Sequence, residues 1–149
     1  MKIRELMTRD PVCCRLSDTA QTVASLLRDN NVGALPVVAD DGSKHLEGII
    51  TDRDLCCAIV ARGLSPNTTI ETFITRQVVT CRPEQSLDSC ERLMQIHQIR
   101  RVLIVDQGMR CVGVISQADL ARTNRSDQLH RTIAEISKPS QTFELPATA

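Results

Sequence analysis

The sequence contains no tryptophan and no tyrosine, and its two phenylalanines are Phe73 and Phe143. Proteins that hold single-stranded nucleic acid do so on aromatic faces. With almost no such faces available, a ring-bearing ligand here has to lie between aliphatic side chains. Charge of one sign is also missing: eighteen basic residues balance eighteen acidic ones. No net field collects nucleic acid or an anionic membrane surface. No apolar run approaches the ~20 residues that span a bilayer, and residues 1–11 alternate charged and apolar types without the apolar stretch of a secretory signal. The expected location is the cytoplasm.

Chemical signatures are absent as well. The seven cysteines include no Cys-x-x-Cys spacing, which argues against a zinc knuckle or a thioredoxin-like site. Their odd number argues against a complete intramolecular disulfide framework. There is no nucleophile elbow, Walker lysine, paired-carboxylate arrangement or dinucleotide fingerprint. The prominent acids fall in first helical turns, where a carboxylate stays ionised and is unsuited to acid catalysis. A non-enzyme requiring no cofactor is expected.

What the sequence does contain is a duplication. Laid on itself, the chain aligns Ile3 with Ile70, Thr8-Arg9 with Thr75-Arg76, Val12 with Val79, Cys14-Arg15 with Cys81-Arg82 and Leu26 with Leu93. After a two-residue deletion, Gly48 meets Gly113, Ile50 meets Ile115 and Asp54-Leu55 meets Asp119-Leu120. At 149 residues the chain holds one domain or two small repeats. Its 42% hydrophobic and 24% charged residues are ordinary for a packed protein.

Each copy reads the same way. A short helix (residues 3–7 or 70–74) precedes a brief strand (12–15 or 79–82). An amphipathic helix follows, with Ser17 as a cap candidate and Ala20, Val23, Ala24 and Leu27 on one face, matched by Leu87, Cys90, Leu93 and Met94. Two strands come next, 34–38 with 46–51 and 102–106 with 110–116, joined by Asp40-Asp41-Gly42 and Gln107-Gly108. A closing helix runs over 52–62, stopped at Gly63, and over 117–124. The first closing helix is apolar nearly all round from Leu55 to Ala61, so one side should meet a neighbour. The predicted fold is α+β, of the α/β sandwich type: two β-α-β-β-α motifs related by a pseudo-two-fold axis. The first motif is expected over 1–64, the second over 65–124, and a C-terminal helix, around 129–136, followed by a flexible tail, together over 125–149.

The most informative segments are Gly48-Ile49-Ile50-Thr51-Asp52-Arg53-Asp54 and Gly113-Val114-Ile115-Ser116-Gln117-Ala118-Asp119. In both, a strand ends in Gly-x-x-Thr/Ser and a helix starts with an Asp in its first turn. Helix capping by Thr51 and Ser116, with acids favoured by the helix dipole, accounts for the pattern. So does a ligand site, since free N–H groups receive phosphate and a carboxylate grips neighbouring ribose hydroxyls. The residues alone leave both uses open.

Two such units, each closing in Gly-x-x-Thr/Ser-x-x-Asp, resemble a pair of CBS motifs, the arrangement called a Bateman module, over residues 3–124. The stretches Met7-Thr8-Arg9-Asp10-Pro11-Val12, Gly33-Ala34-Leu35-Pro36-Val37-Val38 and Arg100-Arg101-Val102-Leu103-Ile104-Val105-Asp106 are similar to the family pattern too. The resemblance implies a regulatory protein binding AMP, ATP or a related adenosine compound in a cleft between the repeats. Ribose would fall to Asp54 and Asp119, and phosphate to the hydroxyls of Thr51 and Ser116. Adenine would lie near Cys13 or Thr80, and near Ala34, Leu35 and Pro36 or Arg101, Val102 and Leu103. Arg100 and Arg101 would neutralise phosphate in the second repeat, where the first has Gly33 and Ala34, so the two sites should differ. As an alternative, the arginine pair is a solvated strand edge or a subunit contact. A homodimer packed through helices such as 52–62 is expected, with an unidentified effector protein reading its state.

A second possibility is a ligand-free dimeric scaffold for stress or interaction, with cysteines and His45, His97 or His130 holding metal. A third is a thiol-based redox enzyme, which requires an exposed cysteine of low pKa. Buried apolar filler is the default role for most of the thiols.

Overall fold

Each repeat folds as the alternation of its apolar residues dictates, in a computed structural model that describes residues 1–139. The expected flexible end therefore lies partly outside the described residues. The chain opens with helix α1 (Ile3–Leu6) and the two-residue strand β1 (Thr8–Arg9). It continues through β2 (Cys14–Arg15), α2 (Ala20–Asp29), β3 (Ala34–Val38), β4 (Leu46–Thr51) and α3 (Asp52–Leu55). A π-helical turn (Cys56–Val60) and a 3-10 turn (Ile70–Thr72) lead to the second copy. That copy comprises β5 (Thr80–Cys81), α4 (Leu87–His97), β6 (Arg101–Val105), β7 (Cys111–Ser116) and α5 (Gln117–Ala121), and a last helix, α6 (Ser126–Ile136), follows.

The chain divides into two compact units whose boundaries are not those of the sequence repeat. Among the described residues one unit is Pro11–Val78, and the other joins Met1–Asp10 to the chain from Val79 to Pro139. Each leader thus packs with the other copy's strands. In the first unit β2 runs parallel to β3, with Cys14 opposite Val37, and β3 runs antiparallel to β4, with Ala34 opposite Thr51. In the second, β5 runs parallel to β6 with Thr80 opposite Leu103, and β6 antiparallel to β7 with Arg101 opposite Ser116. Strand β1 adds to the far edge of β7, with Thr8 opposite Val114. The first unit repeats that contact in reduced form, as a single bridge between Ile49 and Thr75.

Glycine is required where these leaders cross. A Cβ on Gly48 would stand 2.6 Å from the Thr75 carbonyl oxygen, and one on Gly113 2.7 Å from the Met7 sulfur. The motif glycines therefore admit the exchanged leader.

Strands β4 and β7 alternate buried and half-buried residues, as one-sided strands must. In the first unit Val23 and Leu27 of α2 pack on Leu35, Val37 and Ile50. In the second, Leu87, Cys90 and Met94 of α4 pack on Val102, Ile104 and Ile115. Each fully buried Leu or Ile contributes about 1.5 to 3 kcal/mol.

Three local expectations are corrected. The cap of α2 is Thr19, whose hydroxyl accepts from the Thr22 amide at 3.2 Å. Ser17 lies instead inside a turn closed by Asp18, whose carboxylate accepts from the Arg15 amide at 2.8 Å. Ala24 is exposed rather than facing the core. The helix expected over 52–62 begins at Asp52 but widens after Leu55, where the Ala61 amide reaches back five residues to the Cys56 carbonyl. Gly63, with φ of 66°, ends it as a left-handed stop.

Helix α6 docks on α4 through polar groups. The Gln95 side-chain amide donates to the Thr132 hydroxyl at 2.8 Å, and Arg125 bridges Asp88, Gln128 and Glu91. Glu91 is 1% exposed, and its Oε2 has no hydrogen-bond partner among the described residues. Burial pushes that carboxyl above its ordinary range, while Arg125 holds Asp88 below it. Among the described residues no helix is long and apolar enough to cross a membrane.

Candidate functional site

Strands β4 and β7 end at the residues singled out in the sequence, and in each copy the strand end turns directly into a helix. In the first unit the Thr51 hydroxyl accepts from the Asp54 amide at 3.1 Å, while Asp54 Oδ2 accepts from the Thr51 amide at 2.8 Å. This reciprocal box satisfies two amide donors at the start of α3. It also fixes the Asp54 side chain, which is half-buried. No bond to its second oxygen, Oδ1, is formed among the described residues.

The second unit repeats the box with more bonds. Asp119 Oδ2 accepts from the Ser116 amide at 2.7 Å and from the Ser116 hydroxyl at 2.8 Å, and the Ser116 oxygen accepts from the Asp119 amide at 3.3 Å. The other oxygen, Oδ1, is taken by the Arg122 guanidinium. Asp119 is 5% exposed, whereas Arg122 has a side-chain exposure of 68%. One box thus presents a free carboxylate oxygen, and the other presents none.

The strand register gathers further candidates beside each box. Ala34 lies opposite Thr51 at the start of β3, with buried Leu35 and Pro36 behind it. Cys13 precedes β2, its thiol donating to the Pro11 carbonyl at 3.2 Å. In the second unit Arg101 lies opposite Ser116, Thr80 opposite Leu103, and Val102 is fully buried. The strands thus bring Ala34–Pro36 together with Thr51 and Asp54, and Thr80 and Arg101–Leu103 together with Ser116 and Asp119. Val102 and Leu103, at 0% and 1% exposure, offer a ligand backbone rather than side-chain surface. Arg100 is exposed and Arg101 half-buried, and neither side chain is ion-paired among the described residues. Arg122 was the residue missed from the sequence. It stands three positions past the motif aspartate, one helical turn on, and that spacing was the available signal.

The other candidates are placed apart. His45, His97 and His130 are exposed. Among the described residues no group of three or more His, Cys, Asp or Glu side chains is arranged to hold a metal ion. Cys14, Cys81, Cys90 and Cys111 are buried, Cys13 and Cys57 half-buried, and Cys56 exposed. Burial first, then Asp18 and Cys13, pushes the Cys14 thiol up to about 12. A cavity of about 390 Å³ in the second unit is lined by Arg4, Arg9, Arg110, Asp10, Glu84 and Asp106 among others. It opens at the hairpin end of β7, away from Ser116, and its three arginines face three acids.

Comparison with known proteins gives consistent relatives. The family model described as "CBS domain" matches residues 3–61 and again 65–125. A CBS domain-containing protein of Bacillus subtilis is 36% identical over 126 residues, spanning 85% of this chain and 87% of that protein. Hypoxic response protein 1 of Mycobacterium tuberculosis is 32% identical over 137 residues, covering 91% of this chain and 94% of that protein. A crystal structure of Hypoxic Response Protein I with two coordinated zinc ions superposes with a TM-score of 0.72, over 82% of this chain and 98% of that one. A CBS domain protein from Pyrobaculum aerophilum, complexed with AMP, is 27% identical with a TM-score of 0.77, over 90% of this chain and 99% of that one.

Proposed function

This chain belongs to the CBS-domain family, and from that premise we propose that it is a non-catalytic regulatory module that binds an adenosine nucleotide, AMP, ATP or a related compound, at its duplicated boxes. The observation that carries the reading is the pair of rigid hydroxyl–carboxylate boxes, Thr51 with Asp54 and Ser116 with Asp119, each at the end of a paired strand. A helix cap needs only one carboxylate oxygen. Asp54 Oδ1 remains available for the two adjacent hydroxyls of a ribose. The AMP complex of the Pyrobaculum relative supports the ligand class. The adenine would rest on backbone and aliphatic groups at Cys13 and Ala34–Pro36, or at Thr80 and Arg101–Leu103, with Arg100 and Arg101 turned to phosphate. Such a ligand suits a chain nearly devoid of aromatic rings.

The π-helical turn supports a homodimer: Val60 is 75% exposed and Leu64 36% exposed, beside exposed Cys56. A second copy of this chain would cover that face, and an effector protein would read the nucleotide-dependent change.

The test is a thermal-shift panel with AMP, ADP, ATP, NAD and S-adenosylmethionine. A ligand at a hundredfold excess over its Kd stabilises the fold by about 2.7 kcal/mol, a clear rise in Tm. Asp54→Ala and Asp119→Ala should each weaken binding at one box, and unchanged affinity in both would refute the ribose assignment. A second reading, a metal-holding dimeric scaffold, draws on the zinc ions of the Hypoxic Response Protein I crystal structure. Stoichiometric zinc in protein purified without a tag, with no nucleotide response, would favour it.

A further inference from the structure

The duplicated boxes differ in one group. Carried over from Asp54 and Asp119, the repeat register places Cys57 where the second copy has Arg122. Arg122 bonds Asp119 Oδ1, the oxygen whose counterpart on Asp54 is open, and both Asp119 Oδ2 contacts are spent within the box. A ribose arriving at Asp119 therefore has to displace a guanidinium before it can bond the carboxylate.

Displacing it is feasible, because the backbone at Arg122 is fixed while its side chain is not. Its amide donates to the Asp119 carbonyl at 3.1 Å, and its side chain is 68% exposed. The guanidinium side of the pair is open to water, so a competing anion can reach the cation without entering the protein. A guanidinium that leaves a nearly buried carboxylate needs another anion, and planar guanidinium matches phosphate well. A nucleotide carries that anion; a nucleoside does not.

We infer that Arg122 is a specificity-determining latch on the second box, closed on Asp119 in the empty protein and transferred to the phosphate of an incoming nucleoside phosphate. It makes the second box selective for phosphorylated ligands, while the first box, with Cys57 at that position, admits the nucleoside as well. The inference rests on the nucleotide reading above and assigns it a selectivity.

Titration calorimetry with adenosine and AMP, with folding of every variant checked by thermal melt, tests it. In Asp54→Ala protein, which retains the second box, AMP should bind about tenfold or more tightly than adenosine, the factor supplied by one charge-assisted hydrogen bond. Adding Arg122→Ala should strengthen adenosine, weaken AMP and bring that ratio towards one; Arg122→Lys should fall between. In Asp119→Ala protein, Arg122→Ala should leave adenosine binding unchanged. A ratio unaffected by Arg122→Ala overturns the latch and leaves the nucleotide reading standing, as does binding that is lost entirely in Asp54→Ala protein. No binding of either ligand to the unaltered chain overturns the nucleotide reading, and the latch with it.

Discussion

Replacing Gly48 by alanine puts a methyl group against backbone that is itself tied down. The new Cβ would lie 2.6 Å from the Thr75 carbonyl oxygen, about 0.8 Å inside the ordinary contact limit of 3.4 Å, and 2.8 Å from Ile74 Cδ1. The carbonyl cannot turn away freely, because it accepts from the Ile49 amide at 2.9 Å while the Thr75 amide donates to the Ile49 carbonyl at 3.0 Å. Relief requires lifting the leader from β4 and losing one or both bonds, each worth about 0.5 to 1.5 kcal/mol net. With the strain of an overfilled site, the expected cost is about 1 to 3 kcal/mol. Gly113→Ala should cost less, although its nearest contact is similar at 2.7 Å. That neighbour is the Met7 sulfur, the flexible part of a side chain with several rotatable bonds, and the backbone oxygen of Thr8 is farther off at 3.1 Å. Urea unfolding of the two variants at equal concentration measures the difference. Equal midpoints for Gly48→Ala and the unaltered chain, or a larger loss for Gly113→Ala, would refute the claim that these glycines admit the leaders.

Thr19→Ala should lower stability by about 1 kcal/mol through loss of the α2 cap, while Ser17→Ala should change it by less than half as much; thermal melts compare them. Arg125→Ala should destabilise by about 1 to 3 kcal/mol, since Glu91 then keeps a buried carboxylate without its cation. The folded-state pKa of Glu91 is already raised by burial, so stability falls as pH rises from the unfolded value through the folded one. Removing Arg125 raises that pKa further, and urea midpoints at pH 5 and 7 should diverge more in the variant than in the parent. Among the cysteines, exposed Cys56 should be alkylated first in dilute protein and be shielded as the proposed dimer forms. Cys14, pushed up to about 12 by burial, should react only as the protein unfolds, and peptide mass mapping over time reads that order.

Much of the secondary structure was legible because it repeats. Strand β4 begins and ends where alternation places it, at Leu46 and Thr51, and Ala20, Val23 and Leu27 of one stripe and Leu87, Cys90 and Met94 of the other are buried as expected. The exchange of leaders was not legible. A duplication reports that Thr8 and Thr75 are equivalent, but not which copy of the β4-type strand each one joins. Strand β1 is two residues long and pairs with β7 more than a hundred residues away, so no local pattern marks it. The cap of α2 failed for a different reason. Ser17 and Thr19 are both competent caps, and the choice was made by Asp18, whose carboxylate bonds the Arg15 amide and draws Ser17 into the turn.

The site shows the same division between pattern and pairing. Thr51, Asp54, Ser116 and Asp119 stood out because the same types recur at the same place in each copy, and the strands carry both sets to equivalent positions beside Ala34 and Arg101. Recurrence favours what the copies share, and so it hides what separates them. The sequence-level contrast rested on Arg100 and Arg101, whose side chains form no ion pair among the described residues. The contrast that reaches a motif carboxylate comes from Arg122, one helical turn beyond Asp119 and closed on its second oxygen. A capping box needs only one carboxylate oxygen, and the proposed ligand role falls to the other. In the first copy it is open, and in the second an exposed, displaceable cation occupies it. If the proposed latch holds, the position occupied by Cys57 in one copy and Arg122 in the other adds to the Arg100–Arg101 contrast in making the two boxes prefer different ligands.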